Sequence, residues 1–107
     1  MDATEFAISC KRERDMMFEE YANPQRETAV GQYLDAAKLS TVQREHVMKA
    51  LNQALTDSFC TMLMALDGAA SLGGNQQSYR IFDENGDTVS SGTGGLEAAA
   101  FLAFQSN

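Results

Sequence analysis

Between Ser40 and Leu66, apolar residues recur at three- and four-residue intervals with no proline among them. Stepped about 100° apart, Val47, Met48, Leu51, Leu55, Phe59, Met62, Leu63 and Leu66 fall on one face, with Ser58 among them. His46, Lys49, Gln53 and Asp57 fall opposite. Gln43 stands three residues after Ser40, the spacing at which each side chain can bond the other's backbone amide, a capping box. Gly68 suits a left-handed helix stop, with Asp67 hydrogen-bonding in the turn. The pattern predicts one continuous helix of roughly 40 Å at about 1.5 Å per residue. From Phe59 to Leu66 apolar residues cover most directions. A helix apolar all round is buried all round, so this portion is expected to cross the middle of the domain. The stripe reads as core, and a second copy could share it, because small domains often gain burial by pairing.

Residues Thr4 to about Tyr21 predict a first helix. Phe6, Cys10, Met17 and Tyr21 share one face, and Lys11, Arg12, Arg14 and Glu19 lie off it. Asn23-Pro24 breaks the pattern. Asparagine suits an N-cap and proline the first helical position, so a second helix is expected to run from there to about Leu39. Its inward stripe would be Ala29, Val30, Tyr33, Leu34 and Ala37, with Gly31 permitting a close crossing. After a loop over residues 69–77, Ser78 to Phe82 carries β-favouring residues. Asp83-Glu84-Asn85-Gly86 is a turn signal, and Asp87 to Ser90 would return as the second strand. Gly92 to Gly95 is a joint, and Leu96 to about Phe104 a final helix with Leu96, Ala100, Phe101 and Phe104 inward. The expected class is α+β and mainly helical: three helices with a long third, a β-hairpin and a short C-terminal helix, in a single domain over residues 1–107.

Fifteen acidic residues against eight basic give a formal net charge of −7. Such a balance argues against nucleic-acid binding, which draws on Lys and Arg against phosphates. Acidic charge also serves solubility, and the functional alternative is a basic protein partner steered by the field. No apolar run is long enough to span a bilayer, and the first residues lack the basic and apolar regions of a signal peptide. A cytoplasmic location is expected, with Cys10 and Cys60 reduced.

Candidate chemistry is sparse. A Cys–His dyad requires hydrogen-bond reach, and on a continuous helix His46 and Cys60 stand roughly 21 Å apart. Zinc usually takes four Cys or His ligands, and the chain has two cysteines and one histidine. Asp83-x-Asn85-x-Asp87 matches the first ligand positions of a calcium loop, but Thr88 stands where that loop needs glycine and Gly94 where it needs a bidentate glutamate. Gly92-Thr93-Gly94-Gly95 lacks the lysine of a phosphate loop. Among Asp67, Asp83, Glu84, Asp87 and Glu97, nothing in the spacing brings two carboxylates into one pocket. The expectation is a protein that is not an enzyme and uses no cofactor and no metal.

Leu66-Asp67-Gly68, Tyr79-Arg80-Ile81-Phe82-Asp83-Glu84-Asn85-Gly86 and Gly95-Leu96-Glu97 together resemble a group of small acidic bacterial proteins of immunity-protein type. In these a long helix with an LDG-type end precedes a hairpin with a DENG-type tip and a short last helix. The resemblance covers Ser40 to Phe104. It implies binding, as immunity proteins neutralise toxins of competing bacteria, and assigns no functional residue. From the charge, Asp83, Glu84 and Asp87 at the hairpin end are the expected partner-binding residues, set to meet Arg or Lys of a basic toxin. The other reading is a homodimeric scaffold or regulatory protein that associates through its helical stripe or hairpin edge.

Overall fold

The computed structural model describes residues 1–105. The described residues form four helices, α1 (Ala3–Ala22), α2 (Ala29–Ala36), α3 (Thr41–Leu66) and α4 (Gly95–Gln105), and a two-stranded hairpin, β1 (Ile81–Phe82) and β2 (Thr88–Ser90), which lies against α1 and α4. The class is α+β and mainly helical, as the pattern predicts. α3 is unbroken, and its capping box forms: the Gln43 amide donates to Ser40 Oγ at 3.2 Å and the Ser40 amide to Gln43 Oε1 at 2.9 Å.

Packing concentrates at one end. Leu63, Leu96 and Ala100 form the buried centre, surrounded by Ala3, Phe6, Cys10, Leu66, Ile81 and Phe104. α4 wedges between the start of α1 and the end of α3, and Phe59 stacks on Phe104 with ring centroids 6.4 Å apart. This head joins a thinner arm, made of the end of α1, α2 and the start of α3. The principal extents are 46 × 30 × 23 Å.

Several local expectations are corrected. α2 starts at Ala29, because Asn23 caps the C-terminus of α1 and its side chain accepts from the Gln25 amide in a turn. Thr28 takes the capping role, accepting from the Gly31 amide at 2.9 Å. A Cβ on Gly31 would stand 2.9 Å from Thr28 Oγ1, so the glycine makes room for its own helix cap rather than for a crossing helix. α2 ends early because Lys38 takes a left-handed conformation, φ 51°. β1 covers two residues instead of five. Ser78 is held between Gly68 and Gly92, both at positive φ, whose added Cβ atoms would come within 2.8 Å of Ser78 Oγ and 2.5 Å of Ser78 Cβ. Tyr79 meanwhile donates to the Leu66 carbonyl. The pairings Ile81 with Ser90 and Phe82 with Thr88 leave Val89 as the extra residue, and its side chain is buried.

The end of α3 is less enclosed than its composition suggests: Leu63 and Ala65 are buried, but Met62 is exposed. Phe101 is exposed too. It lies about 140° round the helix from Leu96 at about 100° per residue, so the inward stripe is Leu96, Ala99, Ala100 and, as expected, Phe104.

Candidate functional site

The hairpin end is built by Asp83. Its carboxylate Oδ1 accepts from the Asn85 and Asp87 amides, each at 2.9 Å, and its own amide donates to the Asp87 carbonyl at 3.0 Å. The loop is therefore an Asx turn closed on its first residue. The Met1 ammonium lies on the same carboxylate, 2.7 Å from Asp83 Oδ2 and 3.3 Å from Asp87 Oδ2. Hydrogen bonding to that ammonium, reinforced by the two amides against some desolvation, holds the Asp83 carboxyl below the usual range. The Asp83 and Asp87 carboxylates in turn raise the Met1 amine from 8.0 to about 10.

Of the three sequence-predicted partner-binding residues, Asp83 thus shapes the turn and pairs with Met1, with its side chain 15% exposed. Asp87 shares the ammonium but stays open. Glu84 is exposed and, among the described residues, carries no ion pair. Docking of the first residue against the hairpin brings Asp2 and Glu5, both exposed, to this end of the head. Asp2 caps α1 by accepting from the Glu5 amide.

The charge is unevenly distributed. Residues 24–51 contain Arg26, Lys38, Arg44 and Lys49 against Glu27, Asp35 and Glu45, four basic and three acidic. The remaining twelve acidic residues face four basic ones and lie along α1 (Glu13, Asp15, Glu19 and Glu20) as well as at the hairpin end, so the negative excess lies outside residues 24–51.

Two polar clusters unforeseen in the sequence are structural. Arg14, expected off the inward face, is buried. Its Nη1 donates to the Asn52 carbonyl, Asn52 Oδ1 and Thr56 Oγ1 at 2.8–2.9 Å, and its Nε donates to Asp15. α1 and the middle of α3 are therefore pinned by a guanidinium, with Phe18 beneath it. Partial burial of Asp15 works against its charge, but hydrogen bonds from Lys11 and Arg14 outweigh it and lower its pKa. In the second cluster, Asp67 is 4% exposed and accepts from the Glu97 amide at 2.8 Å and from Ser90 Oγ at 3.2 Å. The LDG-type motif is thereby explained: Asp67 caps α4 across the fold and ties it to β2 and the end of α3, rather than serving only its own turn.

His46 is exposed and Cys60 half-buried on the continuous α3. Cys10 and Cys60 are free thiols, and burial raises the pKa of each. Among the described residues no three His, Cys, Asp or Glu side chains converge to hold a metal ion. No helix among them is long and apolar enough to cross a membrane. Compared with known proteins, the chain matches no family model, no curated protein and no solved structure.

Proposed function

We propose that the chain is a small cytoplasmic bacterial binding protein that acts by occluding a basic protein partner, in the manner of an immunity-type inhibitor of a toxin. The segregation of charge carries this reading. A negative surface kept only for solubility has no reason to spare residues 24–51, which carry four basic and three acidic side chains. Here Glu84 and Asp87 stand open at the hairpin, with exposed Asp2 next to the Met1 that docks there, while residues 24–51 are close to neutral. An uneven field of one sign speeds encounter with an oppositely charged partner and orients it. In this reading Glu84 and Asp87 make the contacts. Asp83, the third residue of the set, contributes by fixing the turn that presents them.

The test is titration of the protein against the product of an adjacent toxin gene, at several salt concentrations. Affinity is expected to fall steeply with salt. The Glu84→Gln/Asp87→Asn double variant is expected to lower the association rate about tenfold or more, because charge pairs at an interface rim act mainly on encounter. Binding that is insensitive to both salt and these substitutions would remove the hairpin end from the function.

A further inference from the structure

We propose that the arm formed by α2 and the start of α3 is a homodimer interface, covered in solution by a second copy of this chain. Val30, Tyr33, Leu34, Leu39, Val47 and Leu51 line a groove of about 340 Å³ between the two helices. Tyr33 stands at its rim, 80% exposed, and Val47 is also open. α3 meets α1 through polar Asn52 and Thr56, held by Arg14, so Val47 and Leu51 turn toward α2 instead, where Leu51 is half-buried and Val47 keeps 37% of its surface exposed. α2 is eight residues long, and Leu34 is its buried side chain. A helix that short is marginal in water without packing on its apolar face.

The surplus surface of the chain leaves room for a second copy. A folded monomer of 11.7 kDa is expected to expose about 5,900 Å². This chain exposes 7220 Å², an excess of about 1,300 Å² over that expectation. Its radius of gyration is 16.3 Å, against about 13 Å for a compact chain of this length. Two such excesses, about 2,600 Å² over the whole of both chains, exceed the total of about 1,600 Å² that a standard interface buries.

Charge selects the partner and the face. Two copies of a chain with net charge −7 repel each other least at α2 and the start of α3, where residues 24–51 hold four basic and three acidic side chains. A basic partner gains nothing from that neutral region. The competing apolar patch, Phe101 and Leu102 beside Met64, lies on the acidic head with Glu97 in its lining, where two copies would oppose like charges. A twofold axis on the arm makes the interface isologous, with each Tyr33 reaching the groove of its partner. The acidic ends are then left free, so the dimer stands whether or not a basic partner exists.

Sedimentation equilibrium tests this. Wild-type protein at about 100 µM, well above a dissociation constant of about 1 µM, is expected at twice 11.7 kDa, with little dependence on salt. Tyr33→Glu and Val47→Glu change side chains that are open in the monomer, and each is expected to weaken the dimer at least a hundredfold. Phe101→Glu and Leu102→Glu are expected to change it less than threefold. A monomeric wild type, a dimer indifferent to Tyr33→Glu and Val47→Glu, or equal loss in the α4 variants would each overturn the assignment. Salt dependence belongs to the acidic end and mass to the arm, so failure of one does not imply failure of the other.

Discussion

Replacing Asp67 with alanine should loosen three elements at once. The carboxylate accepts from the first-turn amide of Glu97 and from the buried hydroxyl of Ser90. Loss of a helix cap costs about 1 kcal/mol. The Ser90 hydroxyl, left buried without its acceptor, adds about 1–2 kcal/mol. Relief of the carboxylate's own desolvation acts in the opposite direction, but the N-terminus of α4 already offsets part of that cost by about 0.3–1 kcal/mol. Before that partial relief the loss is about 2–3 kcal/mol, a large share of the 5–15 kcal/mol typical of a domain. Urea unfolding followed by far-ultraviolet circular dichroism should show a lower midpoint with an unchanged slope. Ser90→Ala added to Asp67→Ala should cost little more, because its partner is already gone, and that non-additivity identifies the pair. Asp67→Asn keeps one acceptor and should lose about half as much. A loss below about 0.5 kcal/mol for Asp67→Ala, the usual range of surface changes, would refute the reasoning.

Arg14→Lys should lower stability by about 2 kcal/mol in thermal unfolding, because an ammonium cannot reproduce the planar fork that reaches Asn52, Thr56 and Asp15 together. An unchanged midpoint would place the guanidinium bonds outside the folding energetics. Gly92→Ala should cost more than Gly94→Ala in the same assay, since both need positive φ but only at Gly92 would the new Cβ meet Ser78. Carbon-detected titration of Asp83 should find its carboxyl below the ordinary range, and acetylating the Met1 amine should return it part of the way. That depressed pKa stabilises the fold above the unfolded carboxyl value of about 3.9, and the contribution is lost as pH falls through the folded value. The Met1 amine works the other way: its contribution is full below 8.0 and is lost as pH rises through about 10.

Features whose partners lie close in sequence were legible in it. The capping box needs residues three apart, and the Asx turn at the hairpin tip needs neighbours two and four residues on. The α2 boundary was misplaced because Asn23-Pro24 has the residue types of a helix start, whereas Asn23 closes α1 and Thr28 caps α2. No residue type announced the left-handed turn at Lys38, where glycine or asparagine is usual. Arg14 looked like a solvent residue because its acceptors lie 38 and 42 positions away. Asp67 looked like a turn residue because its donors lie 23 and 30 positions on. The same blindness applies to the stripe on α3. Periodicity shows that Val47 and Leu51 share a face, but whether that face is covered depends on where α1 docks. At the candidate site, the chain showed the carboxylates of Asp83, Glu84 and Asp87 but not that Met1 reaches back to pair with two of them.

Amide hydrogen exchange at low and high protein concentration tests most directly whether one end of the molecule is packed and the other waits for a copy of itself. If the arm pairs, protection of residues 29–36 and of the first half of α3 rises with concentration, while protection in α4 stays constant. Exchange in α2 that ignores concentration, or protection that rises first in α4, would contradict it.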